Sequence, residues 1–402
     1  MRVSTSWIYS SGAADLSRKQ AEMQRTQQQL SSGRRVLTPA DDPIAASAAL
    51  AVEQAGAQND QYARNQGFAQ DTLRLVESTL AQAGNTLQDV RELAIQANND
   101  TLGAADRASL AVAVRGKIAE LLGTANTRDG AGGYLFSGYQ DSVQPFASTV
   151  AGVAYQGDQG SRALQVGATR QIGVSASGAE VFEGAHSGNG RFTVAAAAAN
   201  SGGAIADTGQ VTDPAALTGH AYKLVFSVSG PATTYDVIDT ATSSTVTSGA
   251  TYTPGSAIGF GGMQFTVSGA PANGDTFTLA PSARQSVFKT LDDLASLLEG
   301  SASGAVTQAQ FHTGVGNAIA SLDQANDHLL AVRTDVGARL GELDSLASQT
   351  SSAGVLQKQD LSRLVDLDYA EAASRLAQQQ TSLQAAQQSY LRVTGLSLFN
   401  FL

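Results

Sequence analysis

Between Ala45 and Ala97 the chain steps by three and four residues without a break. The positions are Ala45, Ala48, Val52, Ala55, Asn59, Tyr62, Gln66, Ala69, Leu73, Val76, Leu80, Ala83, Leu87, Val90, Ala94 and Ala97. Only a long helix lays such positions along one side, so the run predicts a sustained coiled-coil seam. Its first half holds small and polar residues. Its second half holds Leu73, Val76, Leu80, Leu87 and Val90, and is expected to carry most of the packing energy. A turn at Asn98–Gly103 and a shorter helix with Ala111, Val114, Ile118, Leu121 and Ala125 on one face predict an antiparallel hairpin.

The same texture returns late in the chain. Phe288, Leu291, Leu294 and Leu298 mark a short amphipathic helix, and Val315, Leu322, Leu329, Val336 and Leu343 recur every seven residues along a long one. Tyr369, Leu376, Leu383 and Tyr390 continue the spacing to the C-terminus, and Leu16, Met23 and Leu30 mirror it near the start. These end seams are narrow. Helices with so thin an apolar stripe need each other, or a neighbouring molecule, to be stable.

From about Gly130 to Ser286 the pattern changes to period two, and 25 of the chain's 41 Gly fall there. Tyr222, Leu224, Phe226 and Val228 share one strand face, as do Met263, Phe265 and Val267. Asn273–Gly274 is a hairpin signal. VAYQGDQGSRALQVG and the following IGVSASGAEVF predict a smaller β region, with Ala195–Asp213 as a separator between the two. The expected fold class is therefore α+β: a coiled-coil-like bundle from the N- and C-terminal segments, with an inserted Gly-rich β domain. The expected division is 1–42, 43–130, 131–194, 195–283, 284–355 and 356–402.

Chemistry-bearing patterns are missing. The four His (His186, His220, His312, His328) stand far apart and read as packed or solvated side chains, and Asp366 and Asp368 lack the loop of a calcium site. GFGG at Gly259–Gly262 lies between strand signals, not before a helix. With no Cys there is no disulfide and no thiolate site. No catalytic, cofactor-binding or metal residue is expected. A net charge of −10 argues against nucleic-acid or membrane partners, which need a basic footprint. No apolar run approaches a membrane span, and MRVSTSWIYSSG lacks the form of a cleaved secretory signal.

LSSGRRVLTPADDP, residues 30–43, invites a reading as a phosphate loop, but its spacing suits a joint between helices. Gly33 takes the left-handed conformation that ends a helix, and Arg34 and Arg35 favour that helix's negative end. Asp42 is an N-cap, Pro43 fits the first turn, and Asp41 suits a positive helix end. Both Arg remain spare for an acidic face on a neighbouring subunit, or are simply solvated.

The motifs together resemble the bacterial flagellin family, and within it the hook–filament junction branch. They are MRVST, QLSSGRRVLTPADDPIAAS (Gln29–Ser47), LQDVRELAIQANNDT (Leu87–Thr101), GGYLFSGY (Gly132–Tyr139), YQGD (Tyr155–Asp158), DVGARLGELD (Asp335–Asp344) and the closing YLRVTGLSLFNFL. The resemblance implies a structural protein exported unfolded through the flagellar type III apparatus, with an export chaperone and no cleaved signal. It implies a ring of like subunits on the outside of the cell, between the first hook-associated protein and the flagellin filament. Leu16, Met23, Leu30, Tyr369, Leu376, Leu383 and Tyr390 are the expected assembly seam. A filament-forming flagellin is the alternative, and a secreted adhesin acting through the β insert a more distant one.

Overall fold

The computed structural model describes residues 5–130, 132–150, 152–304 and 306–395; the opening MRVS and the closing LSLFNFL lie outside the described residues. Seven helices and thirteen strands are found among them. The architecture is α+β, with helical segments from both ends of the chain and an inserted antiparallel β domain. The chain divides into two units, Met1–Asn65 with Ser345–Leu402, and Gln66–Asp344.

In the first unit, α1 (Thr5–Ser32) pairs with α7 (Tyr369–Gly395). The unit also holds the start of α2 (Pro43–Ala97) and the end of α6 (Gln308–Val365). The sequence division places a boundary at 355/356, but α6 continues unbroken to Val365. Nothing at 355 breaks a helix, whereas residues 366–368 form the turn that starts α7.

In the second unit the long helices are thickly packed. Ala69, Leu73, Val76, Leu80, Ala83, Leu87, Val90, Ala94 and Ala97 of α2 are all essentially buried, as are Val315, Leu322, Leu329, Val336 and Leu343 of α6. Polar pairs fix their register at the edges. Arg91 Nε reaches Asp323 at 2.6 Å, Arg333 Nη2 reaches Glu77 at 2.6 Å, and Gln70 donates to Asp344 at 2.9 Å. α3 (Ala104–Ala125) buries Leu110, Ala111, Val114 and Leu121 and packs against α5 (Val287–Ser303). Arg115 joins these two through Asp292 and Glu299.

The small β region consists of two hairpins, β1 (Phe146–Thr149) with β2 (Gly152–Tyr155) and β3 (Ala163–Gln165) with β4 (Gln171–Gly173). Part of the stretch expected to be extended, GAEVFE, is instead the helix α4 (Gly178–Glu183). Its Val181 and Phe182 are both buried, a neighbouring pair that a strand would send to opposite faces. Phe136, Phe146, Phe182 and Phe288 stack at centroid separations of 5.1–5.9 Å and bind this region to α5.

The inserted β domain has two sheets around one core. One sheet runs β10 (Ser244–Thr251), β9 (Ala232–Asp239), β8 (Tyr222–Ser229), β13 (Thr276–Pro281), β5 (Phe192–Ala196). The other runs β11 (Ala257–Phe260), β12 (Met263–Ser268), β6 (Ile205–Ala206), with β7 (Gln210–Val211) also on β12. Two expectations change. Ala195–Asp213 is no separator: it completes β5 and supplies β6 and β7, because small side chains such as Ala204 and Ala206 fit under the sheets. Nor does Asn273–Gly274 close a hairpin. β12 and β13 lie in different sheets, and Asn273 Oδ1 accepts the Val228 N–H at 3.0 Å, anchoring a crossing between them.

Phe226, fully buried in this core, tests its contribution. Phe226→Ala is expected to destabilise the β domain by about 3–5 kcal/mol, read as a lowered urea midpoint in near-ultraviolet circular dichroism.

Candidate functional site: the terminal helix pair and its joint

α1 and α7 run antiparallel. Lys19 Nζ donates to Ser382 Oγ at 2.7 Å, a Cβ on Gly12 would lie 2.8 Å from the Tyr390 ring, and one on Gly33 would lie 2.8 Å from the Tyr369 hydroxyl. Of the seam residues expected from the sequence, Leu383 is buried, while Leu16, Met23, Leu30, Leu376 and Tyr390 are half-buried. Tyr369 is 58% exposed. The two most enclosed positions in this pair are small or polar, Ala372 at 1% exposure and Thr26 at 3%, with Gln29 and Leu383 next at 8%. Trp7 of α1 and Leu391 of α7 stand more than 60% exposed. The pair therefore buries little apolar area, and each helix leaves apolar groups in solvent.

The joint is built by short-range hydrogen bonding. Gly33 has φ +71° and its N–H donates to Gln29 O at 2.9 Å, closing α1. Asp42 Oδ1 accepts the Ala45 N–H at 3.0 Å and its carbonyl the Ala46 N–H at 2.9 Å, so Asp42 caps α2 with Pro43 as its first residue. Asp41 stands just before that cap, and its own bonds run back into the loop. Its Oδ2 accepts the N–H groups of Leu37 and Thr38 at 2.9 and 2.8 Å, and it pairs with Arg25. It closes the loop, because the 37–38 turn points two free N–H groups inward at that carboxylate.

Arg35 is not spare. Its Nη1 lies 3.0 Å from Asp42 Oδ2 and its Nη2 donates to Leu364 O at 2.7 Å, at the C-terminal end of α6. Arg34 is more open, 3.8 Å from Glu53 with its side chain 54% exposed. The partner of the joint, residues 364–368, carried no signal in the sequence beyond Asp366 and Asp368. Asp368 Oδ1 caps α7 through the Ala370 and Glu371 N–H groups, and Asp366 pairs with Arg34 in an antiparallel bridge.

Comparison with known proteins places this arrangement. Residues 3–141 match the bacterial flagellin N-terminal helical region and residues 319–402 its C-terminal helical region. Residues 195–281 match the D2-like domain of flagellar hook-associated protein 1. Flagellar hook-associated protein 3 of Escherichia coli (strain K12) is 30% identical over 399 residues, covering 99% of each chain. The chain belongs to the family of flagellar hook-associated protein 3, the hook–filament junction protein. Two crystal structures of hook-associated protein 3 homologues agree. The flagellar junction protein FlgL of Legionella pneumophila is 32% identical with a TM-score of 0.72, over 79% of this chain and all of that one. FlgL of Xanthomonas campestris is 30% identical with a TM-score of 0.71, over 77% of this chain and 99% of that one.

The four His lie in separate surroundings: His220 on Asp239, His312 between Asn98 and Asp100, His328 on the Glu180 carbonyl, and His186 bridged to Arg284. Among the described residues no three His, Asp or Glu side chains converge as metal ligands, and no helix is long and apolar enough to cross a membrane.

The joint carboxylates titrate low. The Thr38 N–H foremost, then the Leu37 N–H and Arg25, hold Asp41 below the usual aspartate range; the Ala45 N–H and then Arg35 do so for Asp42. Both folded values are depressed, so their contribution is present at neutral pH and lost as pH falls through them. Helical signal from the terminal segments is expected to decline below about pH 4. An Asp41→Asn, Asp42→Asn double variant should start lower at neutral pH and show a shallower acid slope in a circular dichroism titration. Gly33→Ala, which forces a left-handed alanine, is expected to cost about 1–2 kcal/mol, seen as a lower melting temperature of the same signal.

Proposed function

We propose that the chain assembles with copies of itself into a ring joining the first hook-associated protein to the flagellin filament. Its inner contacts are made by α1 and α7. The observation that carries this reading is the contrast in charge between the two units, together with the apolar groups that the nearly neutral one exposes. Residues 1–65 and 345–402 hold 11 Lys/Arg against 10 Asp/Glu, while residues 66–344 hold 14 against 25. The nearly neutral unit also exposes Trp7, Ile44, Leu50, Val355, Leu356 and Leu391. Like copies can crowd together there with little electrostatic repulsion, and they gain by covering apolar groups. The acidic unit opposes such crowding and favours solubility.

The terminal seam of Leu16, Met23, Leu30, Tyr369, Leu376, Leu383 and Tyr390 is then half of an interface that neighbours complete. The joint residues Gly33, Arg34, Arg35, Asp41, Asp42 and Pro43 set its angle. The buried Leu73, Val76, Leu80, Leu87, Val90, Leu322, Leu329, Val336 and Leu343 form the self-sufficient bundle. A thin seam also suits a chain that passes unfolded, with a chaperone, through the type III export apparatus to the cell exterior and orders on assembly. The role needs no catalytic step and no cofactor.

Immuno-electron microscopy is expected to show the protein as a band at the hook–filament boundary; labelling along the filament would instead favour a flagellin. Leu376→Asp with Leu383→Asp should leave residues 66–344 folded but abolish filament attachment and swimming. Normal swimming by that variant would remove the seam assignment. Deleting 195–281 should preserve much of the motility, whereas an adhesin would lose its binding.

A further inference from the structure

The connection from α1 to α2 and the connection from α6 to α7 are far apart in sequence but hydrogen-bonded to each other. The Arg35 N–H donates to Val365 O at 2.7 Å, and the Leu367 N–H donates to Gly33 O at 3.0 Å. Between these bonds Arg34 and Asp366 face each other as an antiparallel pair. The last carbonyls of a helix have no partner within it. Here two of α6's are taken by one residue of the other joint: Val365 O by the Arg35 backbone and Leu364 O by the Arg35 guanidinium.

Arg35 is engaged in four directions. Beyond the two α6 carbonyls, its Nη1 pairs with Asp42, the cap of α2, and its carbonyl accepts the Gln29 side-chain N–H from α1 at 2.6 Å. One residue thus touches α1, α2 and α6, and the bridge at its side leads into α7. The Arg35 side chain is 44% exposed and that of Asp42 33%, so the ion pair alone is weak. What matters is the fork. A planar guanidinium can serve a carboxylate and a carbonyl on different helices at once, which an ammonium at one point cannot.

We propose that the two joints are a single hinge and that Arg35 is the positioning residue that holds it at one angle, so that α1 and α7 are presented to neighbouring subunits together. This rests on the assembly reading above, and it assigns Arg35 to its own chain rather than to a neighbour's acidic face. Gly33 is required by the same geometry, since its carbonyl closes the bridge while its φ turns the chain.

The test uses the full chain as the sole copy in the motile bacterium. Arg35→Gln should be exported in normal amounts yet lose most attached filaments and the swimming ring, with Arg35→Lys intermediate. Because the chain has no Cys, Arg34→Cys with Asp366→Cys can form one disulfide only, across a facing pair about 4.5 Å apart. In otherwise unaltered protein that cross-link should form in isolated flagella and leave swimming unchanged. In the Arg35→Gln background it should restore filament retention, and a reductant should remove the rescue. Wild-type swimming by Arg35→Gln, failure of the cross-link to form, loss of swimming when it forms in otherwise unaltered protein, or its formation without rescue would each overturn the hinge. Absence of the protein from the junction would instead overturn the assembly reading, leaving cross-link formation as a separate measure of the joint.

Discussion

Burial along the long helices is steeply graded, and the rest of the molecule follows from that gradient. From Ala69 to Ala97, α2 shows almost nothing of its seam to solvent, and α6 answers with Val315 through Leu343. Each such Leu or Val removed from water contributes roughly 1.5–3 kcal/mol. Nearer its start α2 holds Ala45, Ala48, Val52, Ala55 and Asn59, of which only Ala45 is buried and Ala55 is exposed. α1 and α7 continue the decline, with Ala372 and Thr26 as their most enclosed positions and Leu383 the one buried residue of the expected seam. Apolar area is concentrated along the seams of residues 69–97 and 315–343 and thinned toward the terminal helices.

A weakly packed pair of helices cannot set its own direction by packing, so direction has to come from bonds of fixed geometry. The joint supplies them. Gly33 ends one helix, Asp42 starts the next, Asp41 closes the loop between, and Arg35 ties Asp42 and Gln29 to the carbonyl end of α6. Backbone groups that a helix end leaves unpaired are satisfied from the opposite connection, which makes the two crossings one structural element. The β domain has the reverse character: a closed aromatic core around Phe226, Phe265 and Phe277.

Much of this was legible in the chain. Seven-residue spacing located Leu73 to Val90 and Leu322 to Leu343 because a buried seam tolerates few polar exchanges, and period-two alternation located β8 and β12. Capping chemistry identified Gly33, Asp42 and Pro43, since each has a conformational role that few other residues fill. The misreadings share one cause. GAEVFE, Ala195–Asp213 and Asn273–Gly274 carry local signals that suit more than one structure, and packing against distant strands or Phe288 decided among them. The partners of Asp41 and Arg35 were hidden similarly, because they are a loop's N–H groups and a carbonyl more than three hundred residues away.

The sequence by itself determined the order of helix, β insert and helix, the thinness of the terminal seams, and the presence of a joint at residues 30–43. These depend on periodicity and on residues with intrinsic backbone preferences, which are local properties. Tertiary structure alone decided that the two joints meet, that Arg35 faces inward to its own chain, and which strands share a sheet. Those are pairings between backbone groups, and every residue carries the same backbone groups whatever its side chain.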